Sequence, residues 1–125
     1  MISLVHPLPG SKPTDPYGPR GNVPGQGNLG FHTGQDYAAA LGTPIYAAQN
    51  GVVTRKWWDA FVNGRPAGGN MIELDHGGYR TRYAHMQHQS DLAVGAKVTA
   101  GKTIIGRVGA TGVATGPHLH FEFLS

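Results

Sequence analysis

No cysteine occurs among the 125 residues, so no disulfide staples the fold and no thiolate can ligate a metal. No stretch approaches the roughly 18–20 apolar residues that a membrane-crossing helix needs. No window sustains an apolar period near 3.6 residues, which leaves little room for long helices. Basic residues never run together: ten Lys and Arg against seven Asp and Glu are scattered along the chain, for a formal charge of +3. Nucleic acid is therefore not expected as a partner, whereas the mild excess suits an anionic surrounding such as a cell wall. Met1 to Pro7 show no charged segment leading into an apolar run, so no signal peptide is visible there. The paired histidines of an HExxH helix are also missing.

Glycine (20) and proline (9) are abundant, and with 39% hydrophobic residues the chain can still bury one core. A single domain over 1–125 follows, with an irregular Pro/Gly-rich lead-in over 1–30 and a β core over 31–125. Within the core, Pro44–Ala47 and Gly51–Trp57 read as strands separated by an Asn50-Gly51 turn signal. Met71–His76 and Tyr79–Met86 flank Gly77-Gly78 as a hairpin would. Ala96–Val98, Thr103–Val108 and a final strand through Gly116–Phe123 complete the set. Short connections favour an antiparallel, mainly β architecture.

Seven histidines stand at 6, 32, 76, 85, 88, 118 and 120. On the final strand His118 and His120 share one face, while Leu119, Phe121 and Phe123 point to the other, towards a core. His32 and Asp36 are four residues apart around Gly34. On a straight strand their Cα atoms would lie roughly 13 Å apart, so one ion can take both only if the chain curves between them. A His, an Asp and a second His form an N/O set that suits zinc and leaves a position for water. Strict alternation would put His85 on the same strand face as Tyr79, Thr81 and Tyr83. Imidazoles of ordinary pKa can take a proton from such a water and return it near neutral pH. His76 is expected to serve as a structural hydrogen-bonding residue near the site, and His6 and His88 as surface residues.

Several blocks in fixed order resemble the M23 family of zinc metallopeptidases, of the lysostaphin and LytM type, which cut peptide bonds of bacterial peptidoglycan. They are Phe31–Tyr37, Gly42–Ala48 with Asn50–Val53, Tyr83–Met86, Val98–Gly106, Gly109–Gly112 and Thr115–Glu122. The resemblance implies an antiparallel β-sheet with an open groove walled by loops. It implies one Zn2+ per chain held by His32, Asp36 and His120, with His85 and His118 as catalytic residues flanking the reactive water and the developing oxyanion. It also decides which histidine of the final strand binds metal, a point that alternation leaves open. Tyr17, Arg20, Tyr83 and His76 are expected on the substrate side. Peptidoglycan is then the partner, and action at the wall, extracellular, periplasmic or phage-delivered, is the implied location. The chain would act as a monomer or as one domain of a larger protein. The rival expectation is a non-catalytic relative that binds wall or activates another hydrolase.

Overall fold

The computed structural model describes residues 3–11, 13–15, 18–19, 31–32, 34–60, 68–111 and 116–124, with backbone alone for 13–15, 18–19, 31–32 and 34. Among these residues there is no helix. The strands are β1 (Pro13–Asp15), β2 (Gly18–Pro19), β3 (Phe31–His32), β4 (Gly34–Ala38), β5 (Pro44–Tyr46) and β6 (Gly51–Asp59). They continue with β7 (Gly69–Asp75), β8 (Arg80–Met86), β9 (Lys97–Val98), β10 (Ile104–Arg107) and β11 (His118–Leu124). The antiparallel, mainly β architecture expected from the sequence is the one observed.

A seven-stranded antiparallel sheet runs β1-β4-β11-β8-β7-β6-β9, with the last strand of the chain near its middle. Two short ribbons, β10-β5 and β2-β3, stand apart from it. The Gly77-Gly78 hairpin is present: both glycines have positive φ, at 82° and 106°, and the Asp75 carboxylate accepts from Gly77 N–H at 2.9 Å. Asn50-Gly51 is a turn but not a hairpin, because β5 pairs with β10 and only β6 enters the large sheet. Within the described part of the lead-in, β1 forms the edge beyond β4 and β2 pairs with β3.

One face of the sheet is the core. Val53, Ile72, Leu74, Tyr83, Met86, Leu119 and Phe121 pack there against Leu8, Ile45, Ala47, Ile105 and Val108. Alternation on β11 gives the apolar residues to this face and frees His118, His120 and Glu122 for the other. A polar chain runs from the surface at Asn50 into the core side, where Thr81 and Tyr83 are buried. Asn50 C=O accepts from His76 Nδ1 (2.8 Å), and His76 Nε2 accepts from the Thr81 hydroxyl (2.7 Å). Thr81 in turn accepts from Tyr83 (2.9 Å), whose oxygen accepts from Ala48 N–H (3.0 Å). Every polar atom in this chain has a partner, as burial demands.

That chain corrects two expectations. Tyr83 is fully buried, its hydroxyl already engaged and its pKa pushed by burial up to about 12, so it cannot reach a substrate. His76 has both ring nitrogens committed on the core side, which makes it structural and removes it from the substrate side. Tyr17 and Arg20 lie outside the described residues.

Candidate active site

Asp36 and His120 are direct cross-strand partners on β4 and β11. Their side chains therefore meet on the sheet face opposite the core, with His120 Nδ1 2.8 Å from Asp36 Oδ1. The other ring nitrogen, Nε2, lies 3.5 Å from Glu122 Oε2 on the same strand. Burial opposes a charged imidazole at this position. Asp36 and then Glu122 more than reverse that effect and push the His120 pKa up to about 9. β3, which carries His32, belongs to a two-stranded ribbon, whereas β4, which carries Asp36, belongs to the large sheet.

His85 reaches the same face by a different device. Between β7 and β8 the register runs Asn70↔Met86 and then Ile72↔Tyr83, so Ala84 and His85 together oppose Met71. This β-bulge places two residues between core-facing Tyr83 and core-facing Met86. His85 takes φ of 62°, the one non-glycine residue with positive φ among those described. Its ring consequently leaves the face of Thr81 and Tyr83, to which strict alternation had assigned it, and turns towards β11. The imidazoles of His85 and His118 lie 4.5 Å apart between centroids, and His85 and His120 6.3 Å apart.

The tautomers of the first pair follow from their partners. A carbonyl can only accept, so His85 Nδ1 must donate to Thr111 C=O (2.7 Å) and His118 Nδ1 to Gly116 C=O (2.9 Å). Both Nε2 atoms are left as the nitrogens available for proton transfer. Burial lowers the His85 pKa, and the neighbouring His118 and His120 add to this against the Thr111 carbonyl, so His85 is neutral near pH 7.

Thr111 is a contributor that motif reading did not single out. Its hydroxyl donates to Met86 C=O (2.6 Å) and accepts from Asn70 N–H (3.1 Å), tying down both strands of the bulge while its carbonyl holds His85. The approach depends on Gly109, where a β-carbon would collide with the backbone of Met86 and Gln87. Only a threonine in a Gly-Ala-Thr-Gly run marks this clamp in the sequence.

Asp36 and His120 hold a proton between two ligand-type atoms, and a divalent cation can take the place of such a proton. Among the described residues no three His, Cys, Asp or Glu side chains form a metal-holding group. The side chain of His32, the third expected ligand, lies outside the described residues. Asp36 and His120 bring together one oxygen and one nitrogen donor of the kinds that zinc takes.

Comparison with known proteins gives a consistent picture. The family model described as peptidase family M23 matches residues 30–125. The chain is 40% identical over 122 residues to the peptidoglycan DD-endopeptidase ShyC of Vibrio cholerae, covering 97% of this chain and 26% of that protein. It thus spans about a quarter of the length of that relative. A zinc-containing peptidase from Vibrio cholerae superposes with TM-score 0.82 at 32% identity, over 95% of this chain and 35% of the other. The catalytic domain of lysostaphin from Staphylococcus simulans gives TM-score 0.75 at 36% identity, over 93% of this chain and 81% of that one.

Proposed function

The chain belongs to peptidase family M23, and on that footing we propose that it is a zinc-dependent endopeptidase that hydrolyses peptide bonds of bacterial peptidoglycan. In this reading His32, Asp36 and His120 hold one zinc ion, and His85 and His118 are the catalytic proton carriers. Residues 1–125 act as one peptidase unit at the cell wall. The observation that carries it is the imidazole pair 4.5 Å apart, each ring tied through Nδ1 to a carbonyl, beside the converging Asp36 and His120.

Bound zinc would act as a Lewis acid, acidifying water and polarising the scissile carbonyl. The protein's own part is to place acceptors. His85 and His118 each present Nε2, so an attacking water can pass its proton to one of them. The same nitrogen can return that proton to the amine of the departing peptide. Burial keeps His85 uncharged and able to accept. When an imidazole is protonated it also becomes a donor that can steady negative charge developing on the carbonyl oxygen. The backbone anchors at Thr111 and Gly116 prevent either ring from rotating its wrong nitrogen into place.

Purified protein incubated with peptidoglycan should release new amino termini, and a chelator should stop the release until zinc is restored. Amine release that ignores the chelator would overturn the metal's role. His118→Ala should keep stoichiometric zinc by elemental analysis while losing cleavage.

A further inference from the structure

The face that carries Asp36 and His120 continues across the sheet into a row of charge. Register connects Gly34, Glu122, Arg82, Glu73 and Arg55 as successive cross-strand partners on β4, β11, β8, β7 and β6. This row is one same-face step along the strands from Asp36, His120 and Ala84. A second β-bulge, between Val53 and Arg55, puts both Thr54 and Arg55 opposite Glu73. Trp57 follows two residues after Arg55 and lies opposite Met71, level with the bulge that delivers His85.

The partners of this row are unequal. Glu73 is buried and accepts from Arg82 Nε (2.7 Å), the Thr54 hydroxyl (2.9 Å) and Arg80 (3.5 Å). Burial alone would raise its pKa, but Arg82 and the other donors hold it below the ordinary value, so it stays charged. Glu122 is engaged with His120. Arg55, by contrast, is exposed and has no carboxylate partner among the described residues. Its guanidinium carbon lies over the Trp57 ring, 4.1 Å from the ring centroid, and that of Arg82 approaches the same ring at 5.5 Å. Stacking restricts the guanidinium in advance and leaves its N–H edge free, which is the geometry that takes a carboxylate by two parallel hydrogen bonds.

We propose that Arg55, stacked on Trp57 beside Arg82, is a carboxylate-binding subsite for the peptide whose bond is cut at Asp36 and His120. The inference rests on the peptidase reading above and adds a substrate class to it: peptides carrying a free carboxylate, in preference to the same peptides with that group amidated. Three strand spacings of ~4.8 Å separate β11 from β6, so the carboxylate would sit about four extended residues from the scissile bond. Were Arg55 only a lid over Trp57, it would support folding and treat acid and amide alike.

The test uses two cross-linked peptidoglycan peptides that differ only in whether the carboxyl at that reach is free or amidated. Zinc-loaded wild type should show a KM about fivefold lower for the free acid, the upper end for an exposed ion pair. Arg55→Gln should erase this preference, with the loss in KM for the acid, and Arg55→Lys should restore it only in part because it lacks the flat double donor. Equal KM values for acid and amide with wild type, or an equal loss on both in Arg55→Gln, would overturn the subsite. Binding to His118→Ala, followed by tryptophan fluorescence, separates the two claims. Acid-selective binding without cleavage by wild type would overturn the hydrolytic reading and leave the subsite standing. Unselective binding with cleavage would do the reverse.

Discussion

β11 and β8 are hydrogen-bonded neighbours, and each brings an imidazole to the same spot by a different route. β11 is regular. Its side chains alternate without interruption, so His118 and His120 leave the core face because Leu119 and Phe121 occupy it. β8 breaks its own alternation: Arg82 and Tyr83 obey it, then one extra residue throws His85 across, in a left-handed backbone that glycine would adopt more readily. The regular strand holds two imidazoles, the proposed metal ligand His120 and the proposed proton carrier His118, two residues apart with no positive φ. The bulged strand supplies the third imidazole from a position that pleating could not reach. Side-chain placement on β11 is thus a product of the pleat, whereas on β8 it is a product of the clamp formed by Thr111 and Gly109.

If the two routes converge on one proton-transfer unit, removing either ring should cost alike. His118→Ala and His85→Ala should each lower kcat by about 10²–10⁴-fold, the range for a positioned acid or base. The double variant should fall little further, because groups acting as a unit are not additive. A double variant that loses the product of the single losses would show two independent functions and break the comparison. Thr111→Val should produce a smaller effect confined to the bulged side. It leaves Asn70 N–H without its acceptor, at about 1–3 kcal/mol of stability, while Met86 C=O keeps only the Asn70 side-chain amide at 3.3 Å. Loosening of His85 should lower kcat while zinc affinity is retained. Urea midpoints and chelator competition on the same protein check both halves, and a loss of zinc would show that Thr111 supports the metal side instead.

This contrast also marks how far the sequence could be read. Alternation of imidazole and hydrocarbon from His118 to Phe123 is a local pattern, and it foretold which face of β11 meets the core. Gly77-Gly78 announced its hairpin through the one property glycine contributes there, positive φ. The placement of His32 and Asp36 was legible only as a requirement that the chain bend between them, and nothing local in the sequence assigns β3 and β4 to different sheets. His85 was assigned to the wrong face because a bulge has no local signature in Tyr83-Ala84-His85-Met86. It depends on Thr111, 26 residues further on, and on a glycine at 109 that permits close approach. The same blindness put Tyr83 on the substrate side: nothing in its neighbours reveals that its hydroxyl closes a chain through Thr81 and His76 to Asn50.

The smallest effect is the sharpest discriminator, because its sign should invert between the two strands. At position 118 the backbone is extended, so glycine should be less stable than alanine by roughly 0.5–1 kcal/mol, the entropic penalty of glycine within a strand. At position 85 the backbone has φ of 62°, where an L side chain carries a cost of roughly 1–2 kcal/mol that glycine escapes. His85→Gly should therefore be more stable than His85→Ala by about 1 kcal/mol. Each comparison is made within one position, so the loss of the imidazole and its bond to Thr111 or Gly116 cancels. Urea midpoints of the four variants, taken in the same metal state, provide the readout. Should alanine be the more stable residue at both positions, His85 does not hold a left-handed backbone in solution. β8 would then be a regular strand whose histidine faces the core, and the proton carriers would have to be sought elsewhere.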